Sequence, residues 1–149
     1  MKTRYKVLIA AVIIILFLYS LFAAFKSRQP SVSQSGNSLS LPTKSGDTLK
    51  VYDIRQNPVL VTGDTTVVAQ TESYSIVFFA KDQSILITLL SQPVQRSRDQ
   101  AEQALLDKLK ISFTEACQLK VSLSIPASVD EQLAGTDYGL SFCPNGQHF

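Results

Sequence analysis

The sequence predicts a small α+β domain, a mainly antiparallel sheet with one main helix and one short helix packed on one face, behind an N-terminal transmembrane helix. Three observations predict it. A 19-residue stretch near the start carries no charge. The second half of the chain changes hydrophobic period from strand to helix and back. Two cysteines, Cys117 and Cys143, bracket the last strand and the tail.

At 149 residues there is room for one domain beyond any targeting segment. Residues 7–25 (VLIAAVIIILFLYSLFAAF), opened by Val7 and closed by Phe25, would span about 28 Å as a helix, close to the hydrocarbon thickness of a bilayer. A helix apolar on every side cannot be the face of a small soluble domain. The run is longer than a secretory h-region, and it ends in Phe22-Ala23-Ala24-Phe25 and Lys26, bulky where a cleavage site needs small residues. The reading is an uncleaved, single-pass signal anchor in the lipid bilayer of the cytoplasmic membrane, with residues 1–6 as a cytoplasmic n-region. Lys2, Arg4, Lys6 and the amino terminus outweigh Lys26 and Arg28, which places the N-terminus inside and the C-terminal domain outside.

Charge is segregated. All twelve Asp and Glu fall between Asp47 and Asp137, whereas six of fourteen Lys and Arg lie at or before Lys44. The part beyond Lys44 is therefore net acidic and has no basic stripe. Nucleic acid, whose binding rests on phosphate neutralisation, is excluded as a partner.

Residues 26–46 are rich in Ser, Gln, Gly, Asn and Pro and read as a flexible stalk of roughly 25 Å reach. The domain is expected over 47–149. Within SGDTL, residues 45–49, the order of residues resembles the opening of the LysM carbohydrate-binding module. In that family the motif leads into a helix. Here it runs into KVYDIRQNPVLV with Pro58 at the helix position, so a polar turn before the first strand is the reading.

Three short strands are expected at 49–54, 59–61 and 65–69, the last two joined at Gly63-Asp64 and serving as an edge or collar. SYSIVFFA (73–80) and ILITLL (85–90), joined by KDQS, form a hairpin. Both its faces are largely apolar, which predicts central strands covered on each side. Tyr74, Phe78 and Phe79 are assigned to core packing.

Ser97-Arg98-Asp99-Gln100 has the form of a capping box opening the main helix, with Ala101, Ala104, Leu105 and Leu109 as its apolar stripe. Asp99 and Glu102 complement the positive end of the dipole, Lys108 and Lys110 the negative end. A second box, Ser112-Phe113-Thr114-Glu115, opens a short helix ending near Cys117. Leu119, Val121, Leu123 and Ile125 then alternate with polar residues as a half-buried strand stopped by Pro126. Residues 138–142 are a candidate last strand.

The cysteines fit a disulfide. They are twenty-six apart, unlike the CxxC of redox catalysts, and with one histidine, His148, they fall short of a four-ligand zinc site. Outside the cytoplasm an even count normally pairs, and closing a loop of this size stabilises by ~3.5 kcal/mol.

No nucleophile elbow, S-x-x-K, H-E-x-x-H or phosphate loop is present, and no cofactor or metal is implied. Asp130, Glu131 and Asp137 form the densest acidic group, without calcium-loop spacing, and read as a solvated loop. An apolar N-terminal run before a β-rich domain resembles type IV pilins in layout, but the Gly before the run and the Glu within it are missing.

AEQALLDKLKIS, ACQLKVSLSIP and AGTDYGLSFCP resemble segments of small single-pass membrane proteins of candidate-phylum bacteria, over residues 74–144. The likeness rests on Ala101, Glu102, Leu105, Leu106, Ala116, Cys117, Leu119, Val121, Ala134, Gly135 and residues 139–144. It implies the anchored architecture and no activity. The expected function is a non-catalytic interaction or accessory module of the cell envelope, partnered by an envelope protein. The alternatives are an envelope ligand-binding or carboxylate-dependent hydrolytic domain, and a pilin-like structural subunit.

Overall fold

The computed structural model describes residues 37–149. In chain order the elements are β1 (Ser38–Pro42), β2 (Thr48–Tyr52), β3 (Leu60–Thr62), β4 (Thr65–Gln70), β5 (Tyr74–Phe79), β6 (Ser84–Leu89), α1 (Val94–Leu109), α2 (Phe113–Gln118) and β7 (Val121–Ser124). β1 and β2 form an antiparallel two-stranded sheet. The remaining strands form one five-stranded sheet in the order β3-β4-β5-β6-β7, antiparallel except where β6 meets β7 in parallel.

Alternation along the strands builds the core. Ile76 and Phe78 of β5, Ile85, Ile87 and Leu89 of β6, and Val121 and Leu123 of β7 are buried, and α1 lays Ala101, Leu105 and Leu109 against β5 and β6. Leu41 of β1 and Val51 of β2 join the same cluster. Each of these larger aliphatic side chains contributes about 1.5–3 kcal/mol by leaving water. Leu119 and Ile125 flank β7 and are buried too, so the period-two reading of 119–125 matches the burial.

The α+β expectation with a transmembrane helix is corrected. The described fold is mainly β, with seven strands in two sheets and two helices. Part of the difference is β1, which occupies the end of the segment read as stalk. Its S-L-S-L-P pattern pairs Leu39 with Val51 and Leu41 with Leu49, a period-two signal too short to stand out from Ser-rich surroundings. Among the described residues no helix is long and apolar enough to cross a membrane. The apolar run at 7–25 and the stalk up to residue 36 lie outside the described residues.

Three local expectations also change. α1 starts one turn earlier than its apparent capping box, with Pro93 at the N-cap and no side-chain cap bond. The Gln92 carbonyl oxygen Oε1 accepts from the Val94 amide instead, and Ser97 lies inside the helix, buried, its hydroxyl donating to the Ser91 carbonyl at 2.9 Å. Proline suits a helix start, and it overrides the serine four residues on. The box at Ser112 and Glu115 is formed. Residues 138–142 are not a strand but run in turns.

Among the described residues the β5–β6 hairpin is covered on one face only. Val67, Val77 and Leu86 stand in register on the opposite face, with Phe79 beside them, all half-exposed. This asymmetry is testable by chemical denaturation. Leu105→Ala should cost about 2–5 kcal/mol, whereas Val77→Ala should cost less than about 1 kcal/mol. Equal costs would mean that the second face is covered as well.

Candidate interaction surface

The path of the tail decides which surfaces are free. Arg98 and Glu102 sit one turn apart on the inward side of α1, and Arg98 has no exposed surface at all. A buried charge persists only when paired and fully hydrogen-bonded. Arg98 Nε meets Glu102 Oε1 at 3.0 Å, Nη1 donates to the Gln147 carbonyl at 2.6 Å, and Nη2 donates to the Gly139 carbonyl at 3.0 Å and the Tyr138 carbonyl at 3.4 Å. Glu102 in turn accepts from the Ser141 amide and hydroxyl. Phe149 stacks under the guanidinium at 4.8 Å and against Tyr138.

Further ties hold the same segment. Cys117 and Cys143 lie at disulfide distance, 2.01 Å between sulfurs. A Cβ on Gly146 would fall 2.0 Å from the Leu140 carbonyl oxygen, so only glycine fits that turn. Asp137 Oδ1 accepts from the Leu123 and Gly139 amides at 2.9 and 3.0 Å. Burial acts to raise its pKa, but these amides outweigh it and hold the carboxyl below the usual range. The amide and hydroxyl of Ser112 lower Glu115 in the same sense, and the Arg55 side chain lowers Asp53.

The acidic group expected in a solvated loop is thus divided. Asp137 ties the tail to β7, while Asp130 accepts from the Gln132 and Leu133 amides and from Gln92 Nε2. Glu131 and His148 are exposed. Phe78 is buried, Tyr74 packs against the core, and Phe79 lies on the open face. Among the described residues no three His, Cys, Asp or Glu side chains gather as a metal site, and every buried side-chain nitrogen or oxygen has a hydrogen-bond partner.

The two ends of the large sheet differ. At β7 the edge is closed by the tail: Asp137 takes the Leu123 amide, and the Tyr138 amide donates to the Leu123 carbonyl at 2.9 Å. At β3 no strand follows among the described residues. Val59, Leu60 and Val61 are 60%, 58% and 56% exposed, and residues 56–63 carry no charge. Leu60 pairs with Val67, Val67 with Val77 and Val77 with Leu86, so the edge opens onto the apolar row of the uncovered face. The edge is three residues long and follows Pro58, which restricts how much of it can pair, but it carries no charge.

One cleft, of about 800 Å³, runs between the β4–β5 turn and the outer side of α1, lined among others by Glu72, Tyr74, Asp99 and Asp107. It is shallow. Asp99 and Asp107 are eight residues apart on one helix, about 12 Å along the axis, and each accepts from a glutamine one turn earlier. That spacing exceeds the carboxylate separations used in glycoside hydrolysis.

Sequence reasoning placed Cys117 and Cys143 together and put a strand at the edge position. It missed the buried pair, for which a signal existed. Arg98 and Glu102 are spaced i, i+4 on the stripe of Ala101, Leu105 and Leu109. No protein-family model, curated protein or solved structure matches the chain.

Glu102→Ala should lower unfolding stability by about 3–5 kcal/mol in denaturant titrations, because it leaves a guanidinium buried without its counter-charge. The double variant Arg98→Leu/Glu102→Leu should stay below wild type, since four tail backbone groups lose their partners. Full recovery in the double variant would show that the tail does not depend on the pair.

Proposed function

We propose that this protein is a non-catalytic interaction module of the cell envelope, displayed on the outer side of the cytoplasmic membrane and attached to the bilayer through the apolar residues 7–25. The observation that carries the reading is the free edge at β3, an uncharged aliphatic strand exposed on both faces in a sheet whose other edge is closed. Such an edge recognises a partner by adding a strand. Main-chain hydrogen bonds supply affinity, and side chains on alternate faces supply selectivity.

Two further features support it. Four carboxylates are engaged in holding backbone: Glu102 and Asp137 bind the tail, Asp130 its preceding loop, and Glu115 its helix cap. The cysteine pair suits an oxidising compartment, as does the charge bias of residues 1–28.

Two measurements test the reading. In intact cells a membrane-impermeant alkylator should label Cys117 and Cys143 only after reduction, read by intact mass. Labelling that needs broken cells and no reductant places the domain on the other side and removes the envelope assignment. Leu60→Lys should change folding stability by no more than about 0.5 kcal/mol, yet release the full chain from whatever complex it forms after mild extraction. Wild-type chain that migrates alone on native gels would refute the interaction role.

A further inference from the structure

We infer that Asn145 is a site of spontaneous deamidation, closed while Cys143 is linked to Cys117 and opened when that link is cut. The chain holds three asparagines, and the residue after each decides its chemistry. Loss of ammonia from asparagine needs the next main-chain nitrogen to attack the side-chain carboxamide carbon. Asn57 precedes Pro58, which has no N–H to give up. Asn37 precedes Ser38, whose side chain crowds the approach. Asn145 precedes Gly146, which has no side chain to hinder it.

The fold itself requires that glycine. A Cβ at Gly146 would collide with the Leu140 carbonyl, so no bulkier residue can stand there to shield Asn145. Protection comes from the turn instead. The Gly146 amide, the nitrogen that would attack, donates to the Cys143 carbonyl at 2.8 Å. Beyond it, the Gln147 amide donates to the Tyr138 carbonyl at 2.9 Å, and the Gln147 carbonyl accepts from Arg98 at 2.6 Å. Gly146 is thus held from both sides, while Asn145 is exposed to water.

Of the two anchors, Cys143 is the one whose carbonyl holds the attacking nitrogen. Its own place is set by the link to Cys117 at the end of α2, and by its amide on the Leu140 carbonyl at 3.0 Å. Reduction by a dithiol removes the covalent tie, and local opening of the tail then frees the Gly146 nitrogen.

The reaction that follows consumes only water. The nitrogen loses its proton and bonds to Asn145 Cγ, the amide nitrogen of the side chain leaves as ammonia, and a cyclic succinimide remains. Water opens the ring at either carbonyl, giving aspartate or isoaspartate. Isoaspartate routes the main chain through its side chain and adds a methylene to the turn. The Cys143 and Gln147 contacts cannot then be kept together, so release of the tail becomes permanent.

The test uses the full chain in detergent micelles at a fixed, mildly alkaline pH. One portion stays oxidised, and the other is reduced with a dithiol and alkylated. The tryptic peptide of residues 121–149, whose only asparagine is Asn145, is followed by mass for exchange of ammonia for water. Deamidation on the order of tenfold faster in the reduced chain is expected, with far-ultraviolet circular dichroism retained and no reaction in Asn145→Gln. Equal rates in the two portions, or no deamidation in either, would overturn the inference. Acceleration that comes with loss of the dichroism assigns the reaction to global unfolding and overturns the gate as well.

Discussion

A guanidinium without exposed surface is the constraint on which the rest of the domain depends. Removing it from water is costly, and one carboxylate does not satisfy its five N–H donors. The remainder of its partners come from the tail, as the carbonyls of Gln147, Gly139 and Tyr138. The dependence runs both ways. Beyond β7 the chain forms no further helix or strand, so its course is fixed mainly by what α1 offers it. An ion pair of this kind adds little net stability compared with well-packed apolar side chains. What it does here is geometric. Three carbonyls and the Ser141 amide must converge on two side chains of one helical turn, and few tail conformations allow that.

The course so imposed decides the accessible surface. Tyr138 must reach Arg98 with its carbonyl, which leaves its amide beside Leu123 and the Asp137 carboxylate beside the same residue. The unpaired backbone of β7 is thereby occupied. Among the described residues nothing comparable reaches β3, four strands away at the opposite end of the sheet. The asymmetry between a closed and an open edge thus follows from where α1 carries its buried pair. Gly146 and the Cys117–Cys143 link belong to the same arrangement, the first by permitting the closing turn and the second by tying the tail to the end of α2.

Legibility from sequence followed the range of the interactions. The hairpin β5–β6, the Ser112 box and the alternation of 119–125 are set by neighbours within a few residues, and their patterns could be read. α1 could be read along its stripe but not at its start, because Ser97 offers the same local chemistry as a cap while Pro93 and Gln92 set the actual boundary. β1 was hidden by composition, since two leucines among serines bury well only when β2 lies opposite. The tail was least legible. Its partners are 40 to 49 residues away in the chain, and no periodicity encodes a carbonyl that binds an arginine. The edge could be suspected from a short aliphatic run beside a tight turn. That it would stay uncovered depends on the whole topology.

Charge also separates the edge from the rest of the surface. The described residues hold nine Lys and Arg against twelve Asp and Glu, a modest net negative charge spread over the domain. Two such domains repel weakly, and at physiological ionic strength the repulsion is screened beyond about 8 Å. Contact is then governed by what must be desolvated at short range. At most positions that includes a carboxylate or an ammonium group, at a cost seldom returned by an exposed pairing. Between Gln56 and Gly63 it includes none, and the groups brought together are aliphatic side chains and main-chain amides. The strip with the least to lose from leaving water is also the one that, among the described residues, has no strand beside its outer edge.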